Sequence, residues 1–160
     1  MTSNARTIET RLRDLGIELP AAVAPIANYV PFVRTGSLLI ISGQLPLEDG
    51  KLPEIFKGKL GKDVFNEAGQ QAARLAAINV LAQAQVALGA LGRVRRVVRL
   101  GGFINATPGF IALAAVMNGA SDLMVQVFGD RGRHARTTVG VAELPMDAAV
   151  EVEAMLEFEC

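Results

Sequence analysis

Two stretches near the end of the chain alternate with a two-residue period. Ala135, Val139 and Val141 fall on odd positions and Arg136, Thr138 and Gly140 on even ones, which predicts a strand with one apolar face and Arg136 on the other. Leu144-Pro145 ends it. Over residues 149–160, Val150, Val152, Leu156, Phe158 and Cys160 share one side, while Glu151, Glu153, Glu157 and Glu159 share the other, which predicts a second strand. Strands that follow one another are usually neighbours in space, so a guanidinium and a row of carboxylates are expected side by side. Polar faces that simply meet water would give the same pattern.

The rest of the chain divides by its periodicity and breakers. Ile8, Leu12 and Leu15 at helical spacing, stopped by Gly16, predict a short amphipathic helix over residues 4–15. Pro20, Pro25 and Pro31 keep the next segment irregular. The apolar run 38–42 predicts a strand covered on both faces, paired as a hairpin with residues 29–34 through a turn at Thr35-Gly36. Residues 45–62 are rich in Pro, Gly and charge and predict loop, with one short strand near 54–57. Asn66 is expected to cap a long helix ending at Leu88, closed by Gly89 or Gly92 and turning Ala68, Ala72, Leu75, Ile78, Leu81, Ala82 and Val86 to a sheet. Residues 93–105 predict a strand with Val94, Val98, Leu100 and Ile104 in phase and Arg95 and Arg99 opposed. Thr107-Pro108-Gly109 breaks the chain. Asn118-Gly119 argues against one continuous helix beyond it, and Ser121 or Asp122 is the expected N-cap of a helix ending at Gly129.

This order of elements predicts an α+β fold, a mixed sheet with two main helices on one face and an additional N-terminal helix. One domain over residues 1–160 fits the length, with residues 1–20 as a helical extension. Composition narrows the function classes. Sixteen Lys plus Arg balance sixteen Asp plus Glu, so no whole-molecule field draws nucleic acid or an anionic membrane. Arg93, Arg95, Arg96 and Arg99 form the only basic cluster, readable as a solvated junction. A mean hydropathy of +0.33 with 51% hydrophobic but only 5% aromatic residues suggests surface hidden in an oligomer. Residues 72–91 are too interrupted by Arg74, Asn79, Gln83 and Gln85 to read as a membrane span. The first twenty residues hold no apolar core of signal-peptide length, and the single cysteine, Cys160, suits a reducing compartment, so a cytoplasmic protein is expected. One Cys and one His make no metal cluster without carboxylates supplying the rest.

Several of these segments together resemble a known family. The run Ala-Arg-Thr-Thr-Val-Gly-Val-Ala-Glu-Leu-Pro followed by Val-Glu-Val-Glu-Ala is similar to the C-terminal signature of the RidA, or YjgF, family of reactive-intermediate (enamine/imine) deaminases. Tyr29 in an extended segment upstream of Ser42-Gly43-Gln44, at the end of a hydrophobic strand, matches the same pattern. The resemblance covers roughly residues 25–159. It implies a chorismate-mutase-like fold, homotrimers with small-molecule clefts between subunits, and no metal or organic cofactor. It implies that Arg136 holds the acid group of a 2-imino or 2-keto acid, a task suited to a planar fork of donors. Glu151 would move protons as ammonia leaves. Tyr29 would orient the substrate, with further hydrogen bonds from the main chain near Ser42, Gly43 and Thr138. Asn118 is the candidate for an asparagine that the family places near the site; it reads equally as a loop or cap residue. His134 shares parity with Arg136, and the family's chemistry does not require it. Departures are the N-terminal helix, a longer segment 105–130, and Thr138 where many relatives carry cysteine. Imine deamination is the reading chosen. A non-catalytic small-carboxylate-binding or regulatory trimer and an endoribonuclease are the alternatives, the last disfavoured by the zero net charge.

Overall fold

A computed structural model describes residues 7–25 and 27–160. Its sheet has five strands: β1 (Phe32–Thr35), β2 (Leu38–Gln44), β3 (Val94–Asn105), β4 (Ala135–Val141) and β5 (Val150–Phe158). They lie in the order β1-β2-β5-β3-β4, antiparallel except for the parallel pair β3-β4. Helices α2 (Asn66–Leu88) and α3 (Leu113–Phe128) pack on one face, and α1 (Ile8–Asp14) packs on α3. The fold is therefore the mixed α+β arrangement expected. The expected start of the first helix, residues 4–6, lies outside the described residues.

Alternation decides what each strand buries. Val150, Val152, Ala154, Leu156 and Phe158 meet the helices with Leu39, Ile41, Leu100 and Ile104, while the intervening residues face away. Strand β2 is thus covered on one face only, against expectation, and Ile40 is 40% exposed on the other. Strand β3 was expected to bury Val98, but Val97 is buried instead. Register shifts between Val94 and Arg96 and between Val97 and Arg99 reset the alternation along the strand. The final strand is not beside β4, because β3 lies between them. Residues 54–56 form a 3-10 turn rather than a strand.

The helices differ from the expected pattern for packing reasons. In α2 the N-cap position is Phe65 and no side chain caps it; Gly89 ends the helix at φ 77. Its buried face is Ala72, Ala73, Ala76, Ala77, Val80, Leu81 and Ala84, with Val86 exposed, because α2 is covered by the sheet, by α3 and by chain segments outside it. Those segments explain two buried polar residues: Asn79 Nδ2 donates to Leu45 O and Leu47 O, and Gln83 Nε2 donates to Val23 O. Helix α3 runs unbroken through Asn118-Gly119, correcting the predicted break. A Cβ at Gly119 would lie 2.0 Å from the Gln70 carbonyl oxygen, so the glycine is where α2 and α3 cross closely. Close approach outweighs its poor helix propensity.

Candidate active site

The roof of β4 is the polar flank of α3. Arg136 Nη1 donates to Asn118 Oδ1 at 2.8 Å and to Ser121 Oγ at 3.1 Å. Asn118 and Ser121 are three apart on the helix and so share a face. Ser121 Oγ also lies 2.8 Å from His134 Nε2, and His134 Nδ1 lies 2.6 Å from Gly132 O. Thr138, two residues along the strand from Arg136, has a buried hydroxyl with no hydrogen-bond partner among the described residues. Both hydrogens of Arg136 Nη1 are engaged by α3, so the Nε–Nη2 edge is the side-on fork left for a ligand.

Arg136 thus lies on the helix face, while Ala135 and Val139 (41% exposed) lie on the uncovered one. The apolar positions of β4 do not mark the protomer's core: α3 meets Arg136 with the polar Asn118 and Ser121, and its apolar Leu113 lies against Gly140.

Glu151 lies on the other side of the sheet. It is in register with Phe103, and Phe103 with Val139, whereas Arg136 is in register with Leu100 and Leu100 with Ala154 under the helices. Burial raises the Glu151 carboxyl above its ordinary value, and the nearby Glu153 charge adds to this. Glu153 itself pairs with Arg99 at 3.0 Å. Strand β2 bulges between Ile41 and Gln44, which brings the Gly43 backbone against Glu151: a Cβ there would lie 2.0 Å from Oε1. Ser42 Oγ donates to Val30 O at 2.8 Å, tying the bulge to the segment before β1. Tyr29 is 55% exposed on that segment, and with Gly43, Gln44, Pro31 and Met146 it lines a cavity of about 110 Å³.

The candidate residues therefore form two groups: Arg136, Asn118 and Thr138 on one face, and Glu151, Gly43, Ser42 and Tyr29 with the other. The structure does not bring the two groups together within one protomer.

Four residues near these groups carry no site expectation from the sequence: Ser121, Met146, Asp147 and Asn105. Ser121 was read only as a cap, although its spacing from Asn118 places the two on one helical face. Met146 and Asp147 adopt φ of 59° and 58° in the turn before β5; aspartate tolerates this region, but nothing about a methionine signals it. Asn105, fully buried, donates to Asp147 Oδ1 and Gly58 O and accepts from Lys59 Nζ at 2.6 Å. Lys59 also donates to Ala142 O, so this network ties the ends of β3 and β4 to the Met146 turn. Among the described residues no group of three or more His, Cys, Asp and Glu is placed to hold a metal ion, and no helix is long and apolar enough to cross a membrane.

A mixed sheet backed by helices on one face, with a polar cluster on each side of it, defines the class of protein. Residues 9–158 match the family model described as "YjgF/chorismate_mutase-like, putative endoribonuclease", and the chain belongs to that family. It is 50% identical to protein TCP17 of Trypanosoma cruzi over 151 residues, 94% of this chain and 93% of that protein. A crystal structure of a protein of unknown function from Agrobacterium tumefaciens superposes with a TM-score of 0.88 at 48% identity, covering 95% of this chain and 92% of the other. The 2-iminobutanoate/2-iminopropanoate deaminase of Dermatophagoides farinae is 29% identical over 143 residues, 89% of this chain and 95% of that protein.

Proposed function

We propose that the protein hydrolyses reactive 2-imino acids to 2-keto acids and ammonia in clefts shared between the subunits of a cyclic trimer. The observation that carries this reading is the placement of Arg136, with one guanidinium edge left over, and of Glu151, with a raised carboxyl pKa, on opposite faces of one sheet. Two such groups serve one substrate only when a neighbouring protomer supplies the second. The uncovered sheet face, with Ile40 and Val139 among its carboxylates, offers apolar area for that contact.

In the assembled cleft Arg136 grips the substrate carboxylate through Nε and Nη2. Water attacks the C=N carbon while Glu151 takes its proton and passes it to the imine nitrogen, giving a carbinolamine. Glu151 then takes the carbinolamine hydroxyl proton and hands it to the amino group, so that the C=O bond forms as the C–N bond breaks and ammonia leaves. Asn118 braces the anchor, the main chain at Ser42, Gly43 and Thr138 supplies hydrogen bonds, and Tyr29 orients the substrate. The reaction balances without a metal or organic cofactor. A cytoplasmic setting suits the exposed free thiol of Cys160.

The test is ammonia release from an imine generated in place by an amino-acid oxidase, comparing wild type, Arg136→Lys and Glu151→Gln. Both variants are expected to lose activity, with carboxylate binding kept only in Glu151→Gln. Wild-type hydrolysis unchanged by Arg136→Lys would refute the mechanism. A second reading, a non-catalytic carboxylate-binding trimer, is favoured by one observation: the Arg136 cluster is assembled without Glu151. It predicts Arg136-dependent affinity and no wild-type turnover. Ribonuclease chemistry has less support, since Arg93 is engaged by Leu88 O and Glu159 O, and Arg95 and Arg99 pair with Glu159 and Glu153.

A further inference from the structure

We infer that His134 is a positioning residue: acting through Ser121, it fixes which edge of the Arg136 guanidinium is offered to a ligand. The inference rests on the reading of Arg136 as carboxylate anchor. It starts from a tautomer. A backbone carbonyl can only accept, so the 2.6 Å contact between His134 Nδ1 and Gly132 O places a proton on Nδ1. In the neutral ring Nε2 is then an acceptor, and the Ser121 hydroxyl 2.8 Å away donates to it. With its one hydrogen committed, Ser121 Oγ turns a lone pair to Arg136 Nη1 at 3.1 Å. Asn118 Oδ1 takes the other Nη1 hydrogen at 2.8 Å.

The guanidinium therefore cannot turn without giving up two bonds, and Nε and Nη2 stay on the side away from α3. Remove the acceptor at Nε2 and the serine hydroxyl becomes a rotor. It can then point its hydrogen at Arg136, where two donors meet and the hold is lost. The line of influence runs from Gly132 O through His134 and Ser121 to Arg136. It joins the turn before β4 to the middle of α3, and the reaction described above uses neither His134 nor Ser121.

Two substitutions in the full-length protein separate this role from simple bracing of the turn. His134→Gln places an amide oxygen where Nε2 stood and can still accept from Ser121. His134→Asn keeps a donor near Nδ1 for Gly132 O and loses Ser121. The first readout needs no ligand: the Arg136 Nη1 hydrogens, followed by NMR, are expected to be distinct in wild type and in His134→Gln and averaged in His134→Asn. The second is titration with pyruvate, where Kd is expected to rise about tenfold in His134→Asn and to stay within about twofold in His134→Gln. On an imine substrate KM should follow Kd, with kcat little changed. The opposite order, with Asn like wild type and Gln impaired, would mean that His134 only braces the turn and would overturn the inference. Arg136 signals that are insensitive to both substitutions would overturn it as well. If wild type binds no pyruvate while the Arg136 signals follow the expected order, the positioning chain is supported and the anchor reading of Arg136 fails.

Discussion

Gly119→Ala should damage the protein in a way that an alanine in a helix ordinarily does not. The added Cβ would sit 2.0 Å from the Gln70 carbonyl oxygen, 2.8 Å from its carbon and 3.1 Å from its Cα. The obstacle is backbone inside α2, which has no rotamer to change, so the two helices must separate by about 1 Å before the contact becomes tolerable. That separation loosens packing around Val116, Met117, Ala120 and Leu123, all fully buried. Overpacking of this kind costs roughly 1–3 kcal/mol, and the better helix propensity of alanine returns about 1 kcal/mol. A contact this short belongs at the upper end, which leaves a net loss of about 2 kcal/mol and a Tm lower by roughly 4–8 °C for a chain of this size. Asn118 and Ser121 flank the glycine, so the same displacement stretches their bonds to Arg136 and should raise KM for a carboxylate substrate. Gly92→Ala, with nothing within 4 Å, is the control and should change stability by less than about 0.5 kcal/mol. Thermal and denaturant unfolding of both variants decide the matter: a Gly119→Ala protein as stable as wild type would refute the close-crossing argument.

Gly43→Ala should leave stability within about 1 kcal/mol of wild type, because the atom in its way is the far end of the Glu151 side chain, which can swing aside. The displaced carboxylate should cost imine hydrolysis nearly as much as Glu151→Gln does, and unchanged activity would count against a role for Glu151. Glu151→Gln should itself stabilise the fold near pH 7. A raised folded-state pKa means that ionised Glu151 is a burden absent below the unfolded glutamate value of about 4.3, and the burden sets in as pH rises through the folded value. The Tm advantage of the variant should therefore be present at pH 7 and fade toward pH 4; an advantage that grows on acidification would contradict the assigned cause.

Much of the architecture was legible because local signals agreed with it. The alternation of β5 and the long helix closed by Gly89 each depend on a few neighbouring residues and are found where expected. The hairpin turn, by contrast, lies one residue further on, at Gly36-Ser37, with Thr35 still paired to Leu38 and the first strand starting only at Phe32. What sequence left open depends on partners far along the chain. Asn118-Gly119 reads as a break until Gln70 is seen lying against it. Val98 reads as core until two register shifts hand that position to Val97. For the candidate site, the parity of Arg136 was correct, but which parity faces the helices was not readable, since α3 offers Arg136 the polar Asn118 and Ser121 and sets its apolar Leu113 against a glycine. Nor could the order of strands be read, and that order, together with pleat, separates Arg136 from Glu151.

This separation has an arithmetical consequence for mixed assemblies. If each cleft takes its guanidinium from one protomer and its carboxylate from the next around a ring, Arg136→Lys and Glu151→Gln chains are complementary defects rather than additive ones. Any trimer containing both kinds has a single junction at which an intact guanidinium chain meets an intact carboxylate chain, about one working cleft in three. Random reassembly of equal amounts should then recover roughly a quarter of wild-type activity from two inactive parents. Clefts built within single chains would recover none.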